Sequence, residues 1–177
     1  MHKLYSGLVC HMDLLLNQLL SLLEGETDLY RSLLSVLQGE KKAVVDSDVK
    51  KLNETSKEKE NLLLKIRILE EQRLMTLDSL SDPMGYPPQD LTLGRLSELA
   101  GDPFSSRLKD CHSNLLSLTQ SIQELNHSNR ELLTHSVELI KGSLALLNNL
   151  QGSNAVYQRT GEIEIGDQSG KVVSGRI

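Results

Sequence analysis

The stretch that decides the fold is residues 104–150, FSSRLKDCHSNLLSLTQSIQELNHSNRELLTHSVELIKGSLALLNNL. One line of positions in it repeats at alternating four- and three-residue steps, which is the spacing of one face of an α-helix. The spacing predicts one long helix over about residues 103–150. The positions on this heptad line are Phe104, Leu108, Cys111, Leu115, Leu118, Ile122, Leu125, Asn129, Leu132, Ser136, Leu139, Ser143, Leu146 and Leu150.

Similar spacing upstream predicts two more long helices, so the fold class is all-α. We expect an elongated antiparallel bundle of three long helices with a short extra helix and a flexible C-terminal tail. Asp46 and Ser47 are expected to cap the second long helix, and Asp102 the third, with Pro103 at its first position. The predicted ranges are long helices at about 4–45, 47–80 and 103–150, a proline-containing break at 81–90, a short helix at 91–100, a bundle spanning 1–150 and a tail at 151–177.

Composition excludes several classes of protein. Of the 177 residues, 37 are leucine, whereas only one is Phe, four are Tyr and none is Trp. This composition disfavours β folds, which are rich in β-branched and aromatic residues, and deep ligand pockets, which aromatics line. The net charge of −5 disfavours nucleic acid as a partner. No apolar run is long enough to span a membrane or to form a signal peptide, so we expect a cytoplasmic protein.

Motifs for catalysis or metal binding are nearly absent, and we expect no enzyme, no cofactor and no metal. Glu124 and His127 have the spacing of a di-iron motif, but a single copy favours a surface pair. The dipeptides Cys10–His11 and Cys111–His112 offer a zinc site between two helices. Because adjacent helical residues point about 100° apart, buried thiols are the favoured interpretation.

Asn129 is a polar residue on the otherwise apolar heptad line, with Ser136 and Ser143 further along. A single Asn at such a position costs stability but sets the register of packed helices. Register within the bundle is the favoured interpretation of Asn129, and direct contact with a client helix is the alternative.

Several short motifs occur along the chain. They are L-N-x-x-N-x-x-L at Leu125–Leu132, Y-x-x-x-G at Tyr157–Gly161, LLEGE at residues 22–26, and K-x5-L-x6-E-x-x-R from Lys57 to Arg73. Their order resembles that of the FlgN family of flagellar type III export chaperones. The resemblance covers about residues 14–161.

This resemblance implies a non-enzymatic, cytoplasmic chaperone. Family members bind the terminal helices of hook-associated (hook–filament junction) proteins, prevent their premature assembly and deliver them to the membrane export gate. By residue match, Asn126 and Asn129 belong to the helix motif, while Tyr157 and Gly161 belong to the tail motif that the family links to docking at the gate. The alternative function is a coiled-coil structural adaptor or oligomerisation module without a chaperone role.

The distribution of leucine predicts where a client would bind. Residues 53–61 read NETSKEKEN, so the second helix offers almost no apolar cover at its beginning. We therefore expect an exposed groove that accepts an amphipathic client helix. A homodimer or the short helix at 91–100 could cover this groove instead, and Tyr157 could pack back on the bundle rather than dock. The predicted groove residues are Leu29, Leu33, Leu37, Leu133, Val137, Ile140, Leu144 and Leu147.

Overall fold

The computed structural model describes residues 2–152, with the side chains of residues 11–149. The described residues form helices and no strands, which confirms the all-α fold. No helix in this part of the chain is both long and apolar enough to cross a bilayer. The helices are α1 (His2–Val45), α2 (Val49–Met84), a single 3-10 turn (Pro88–Asp90), α3 (Leu93–Leu99) and α4 (Phe104–Gly152).

The second long helix continues past the point where the sequence predicts a break. It includes Pro83 and ends only at Met84. Pro83 lies in the last turn, where a missing backbone N–H removes a single helical hydrogen bond. Gly85 then adopts a left-handed conformation with φ 72°, and its N–H donates to the carbonyl oxygens of Ser81 and Asp82. A glycine in this conformation is a common way to end a helix.

The helix starts also differ from the sequence-based expectation. Asp48, rather than Asp46 or Ser47, caps α2, because its Oδ1 accepts a hydrogen bond from the Lys51 N–H at 2.9 Å. Ser47 belongs to the preceding turn, with φ 55°. Residues 102 and 103 form a turn, and α4 begins one residue later than predicted. A polar residue near a helix start therefore predicted a cap, but not which neighbour supplies it.

The chain divides into two compact units, residues 1–132 and residues 133–177. In the first unit α1 and α2 form an antiparallel hairpin, and α4 runs in the same direction as α1. Two apolar clusters make up its core. The buried members of one are Leu15, Leu16, Leu19, Leu20, Leu23, Leu77, Leu80, Leu91, Leu96, Ala100, Leu108, Cys111 and Leu115, and those of the other are Leu33, Val36, Leu37, Leu62 and Ile66. The second unit, as far as it is described, is the helical stretch 133–152.

Candidate functional site

The α1 side of the predicted groove lies in the core of the first unit. Leu33 and Leu37 are buried together with Leu62 and Ile66 of α2, and Leu29 packs against the same cluster half-buried. The prediction that Leu33 and Leu37 line an open groove is therefore wrong for these two side chains. The reason is that Leu62 and Ile66, which follow the polar stretch of α2, cover α1 here, and Ile122 and Leu125 of α4 pack against the same cluster.

The α4 side of the predicted groove carries exposed apolar side chains. We call the four residues Val137, Ile140, Leu144 and Leu147 the α4 apolar face. Their exposed fractions are 47%, 60%, 54% and 55%. Leu133, also predicted, is half-buried.

The exposed apolar surface on this part of α4 is wider than the four predicted residues. Leu139 and Leu146 are also exposed, and they lie on the neighbouring heptad line. At about 100° per residue, the six side chains cover about half of the helix circumference. Their axial extent, from residue 137 to residue 147, is about 15 Å at a rise of 1.5 Å per residue. A surface of this size and shape matches one face of a second amphipathic helix.

Two polar layers interrupt the leucine core of the first unit. In the first layer, the buried carboxylate of Glu26 on α1 accepts a hydrogen bond from Arg73 Nε on α2 at 2.9 Å. Burial raises the pKa of Glu26 above its ordinary value of 4.5, although the bond to Arg73 acts in the opposite direction. Desolvation of the carboxylate therefore outweighs its attraction to the guanidinium.

The second layer joins three helices through Asn129. Its Nδ2 donates to the Leu37 carbonyl oxygen at 2.8 Å and to Glu40 Oε2 at 2.9 Å. Lys59 Nζ of α2 donates to the other oxygen of the same carboxylate. Asn129 is only 1% exposed, so it has no surface to offer a client. The geometry favours the interpretation in which Asn129 sets register.

Sequence reasoning missed the partners of Asn129, although a signal for them was present. On α2, the line of core-facing positions at three- and four-residue steps continues through polar residues as well as apolar ones. The corresponding line on α1 does the same. Because buried polar groups need hydrogen-bond partners, polar residues at seam positions on several helices are candidates to pair with one another. The continuous lines are Leu52, Thr55, Lys59, Leu62, Ile66, Leu69 and Arg73 on α2, and Leu23, Glu26, Tyr30, Leu33, Leu37 and Glu40 on α1.

The residues considered for metal chemistry have other surroundings. Cys111 is buried beside Leu108 and Leu115 in the core, and burial raises the pKa of its thiol. His127 is exposed and lies 3.3 Å from the Glu131 carboxylate, one turn further along the helix. No group of three His, Cys, Asp or Glu residues within the described part of the chain is placed to hold a metal ion.

Comparison with known protein families shows to which family the chain belongs. The model of the FlgN protein family matches residues 12–165, which include α2, α3 and all but the first turns of α1. The chain belongs to the FlgN family. The FlgN family is a family of flagellar export chaperones, so membership implies this general role and flagellar proteins as partners. Neither the curated proteins nor the solved structures contain a match to the chain.

The FlgN match also includes the motif residues that the resemblance singled out. Asn126 is exposed, whereas Asn129 is buried. Tyr157 and Gly161 fall inside the matched range but lie outside the described residues. The predicted tail beyond residue 152 lies outside them as well.

Proposed function

We propose that this FlgN-family chain is a cytoplasmic chaperone that binds the terminal helices of hook-associated proteins through the α4 apolar face. It would keep these helices from assembling early and deliver the client to the export gate. The observation that carries the proposal is the exposure of Val137, Ile140, Leu144 and Leu147 on a helix that buries Leu108, Cys111 and Leu115 near its beginning.

The physical argument begins with the cost of exposed apolar surface. Each buried large aliphatic side chain contributes about 1.5–3 kcal/mol relative to an exposed one. A client helix that covers several of the six exposed side chains therefore gains a driving force that the unliganded chain lacks. The residues between them are mostly small or uncharged, for example Ser143 and Ala145. Shape and apolar contact, rather than charge, would select the client.

The client that fits is itself an amphipathic helix. Its apolar residues would recur at three- and four-residue steps over about 15 Å, to match the length of the face. Terminal helices of filament-type proteins must pack in the assembled structure, so they expose an apolar stripe before assembly. Covering this stripe would prevent premature association, which is the action the family implies.

Two further roles follow from the family motifs. Asn129 would hold α4 in a single register against α1 and α2, since its amide finds Glu40 in that register alone. Tyr157 and Gly161 would dock the loaded chaperone at the export gate. The docking role is supported by the match of Tyr157 and Gly161 to the tail motif of the family.

The test compares two matched substitutions on α4. The double variant Ile140→Asp with Leu144→Asp should lose capture of hook-associated proteins, because two carboxylates would face the apolar stripe of the client. The control is Leu116→Asp, which alters a side chain on the same helix with a similar exposure, 53%, and should retain capture. Circular dichroism should show equal helix content in both.

Three results would contradict parts of the proposal. Unchanged client capture by the Ile140→Asp, Leu144→Asp variant would show that the client binds elsewhere. Equal loss in the Leu116→Asp control would show a general effect of added charge. For the tail, Tyr157→Ala should keep client capture and weaken binding to the gate component, and unchanged gate binding would exclude the docking role.

A further inference from the structure

A second exposed apolar surface lies on α2, on the side opposite its core-facing line. We call Leu63, Leu64, Ile68, Leu74 and Met75 the α2 outer face. Their exposed fractions range from 47% to 69%. Five large apolar side chains within thirteen residues of one solvent-facing surface are unusual, since surface leucines are normally scattered. This surface belongs to the first unit, and the client-binding proposal does not use it.

The residues of the α2 outer face are regularly spaced along the helix. Leu63 and Leu74 are eleven residues apart, as are Leu64 and Met75, and eleven residues make about three helical turns. The four residues therefore form two parallel apolar lines. Ile68 lies beside the second line, near its middle.

A charged pair lies between the two apolar lines. Arg67 Nε donates to Glu71 Oε1 at 3.2 Å, and both side chains are well exposed, at 75% and 57%. An exposed pair of this kind contributes little to the stability of its own helix. It does impose a condition on any partner, which must present a negative group opposite Arg67 and a positive group opposite Glu71.

A second copy of the same helix meets this condition in one arrangement. Consider two antiparallel copies of α2 related by a two-fold axis near residue 69. Arg67 of each copy then lies opposite Glu71 of the other, Leu63 lies opposite Leu74, and Leu64 lies opposite Met75. Ile68 meets its own equivalent at the axis. A two-fold interface must be self-complementary, because both copies present the same surface. Here one register of the two helices satisfies both the charge pairing and the apolar pairing.

We infer that the α2 outer face is a self-association surface through which two copies of the chain form an antiparallel α2–α2 dimer. A contact limited to thirteen residues of one helix per copy buries less than the ~1,200–2,000 Å² of a standard stable interface. The dimer is therefore weak and depends on protein concentration. It does not use the α4 apolar face, and it does not rest on the proposed client.

The first experiment measures self-association of the full chain by sedimentation equilibrium from about 1 to about 200 μM, a range suited to a weak dimer. Wild type should show a monomer–dimer equilibrium. Ile68→Glu should raise the dimer dissociation constant at least about tenfold, because it places two carboxylates together at the axis. The matched control is Leu14→Glu, which alters an exposed leucine of α1 and should leave the dimer unchanged.

The second experiment exchanges the charges. Arg67→Glu and Glu71→Arg alone should each weaken the dimer, because like charges then meet across the axis. An equimolar mixture of these two variants should recover association, and so should the double variant with both changes. Recovery in the mixture depends on contact between copies, since neither chain regains its own intrahelical pair.

Several outcomes would overturn the inference. These are a monomer across the whole range, a dimer that Ile68→Glu and Leu14→Glu affect equally, or no recovery in the mixture. A dimer abolished by Ile140→Asp but not by Ile68→Glu would place self-association on α4 and would equally overturn it. Client capture is a separate readout that Ile68→Glu should leave intact, so failure of one proposal is distinguishable from failure of the other.

Discussion

The two parts of α4 share one sequence pattern and differ in burial. Up to residue 132 the heptad line enters the core of the first unit, where Leu108 is 0% exposed. From residue 133 onward the same line continues at the same spacing, but Leu139 is 73% exposed. Both stretches are helical and leucine-rich. The difference shows that the spacing of apolar residues specifies which side of a helix is apolar. The spacing does not specify whether another part of the chain covers that side.

Under the proposed function, this difference separates residues that stabilise the fold from residues that bind the client along one helix. Leucines of the first stretch stabilise the fold because they are removed from water. Leucines of the second stretch contribute little to folding while they remain exposed, which is why we propose a binding role for them. Substitutions of leucines in the two stretches should therefore have opposite consequences for folding and for client capture.

The largest effect is expected for Leu108→Ala. Truncation of a fully buried leucine leaves a cavity and should lower the free energy of unfolding by about 2–5 kcal/mol. Leu139→Ala, on the same heptad line but at an exposed residue, should change it by less than about 0.5 kcal/mol. Urea denaturation followed by circular dichroism measures both. Equal effects of the two substitutions would show that the stretch after residue 132 is packed in solution.

A smaller effect is expected for Asn129→Ala. The change removes two buried hydrogen bonds and leaves Glu40 with fewer partners, so the free energy of unfolding should fall by about 1–3 kcal/mol. Asn126→Ala, in the same motif but exposed, should be nearly neutral. If Asn126→Ala destabilised the chain as much as Asn129→Ala, the buried hydrogen bonds of Asn129 would not explain how the motif stabilises the fold.

The smallest effect is a pH dependence caused by Glu26. The charged and titratable groups around it are Arg73, Glu70 and Tyr30. Burial raises the pKa of Glu26 in the folded chain above 4.5, so the folded state binds the proton more tightly than the unfolded state. The stability that this proton contributes is present at low pH and is lost as pH rises through the folded pKa.

The measurement compares wild type with Glu26→Gln, which keeps an oxygen for Arg73 but does not titrate. Relative to this variant, wild type should lose stability between pH 4.5 and neutral pH, as followed by urea denaturation. A relative gain of stability over this interval would mean that the pair with Arg73 outweighs burial.

Much of the fold was predictable because helix periodicity is a local property. The predicted limits of the long helices, about 4–45, 47–80 and 103–150, can be compared with His2–Val45, Val49–Met84 and Phe104–Gly152. The deviations fall at the ends, where capping depends on individual hydrogen bonds. Asp48 caps α2 although Asp46 and Ser47 have equally suitable side chains, because the turn geometry points Asp48 toward the helix.

Of the residues predicted to line the groove, those on α4 are mostly exposed and two on α1 are buried. The α4 apolar face was identified from the crowding of leucine in residues 133–147. The α1 side was placed wrongly, because Leu62 and Ile66, which follow NETSKEKEN on α2, bury Leu33 and Leu37. NETSKEKEN itself is also not uniformly solvated. In the structure Thr55 is buried, and Lys59 bonds to the carboxylate of Glu40. A polar residue at a seam position can cover a neighbour when it finds a hydrogen-bonding partner, and composition alone does not reveal this.

The sequence by itself determined the helices, their apolar lines and membership of the FlgN family, since these depend on local spacing and on motif order. Only the tertiary structure decided which apolar lines are buried, that Glu40 and Lys59 meet Asn129, and that the α2 outer face and the α4 apolar face are exposed. The physical reason is that burial is a property of pairs of surfaces. A helix carries its own pattern of residues, but the surface that covers it, or leaves it exposed, comes from residues far away in the chain.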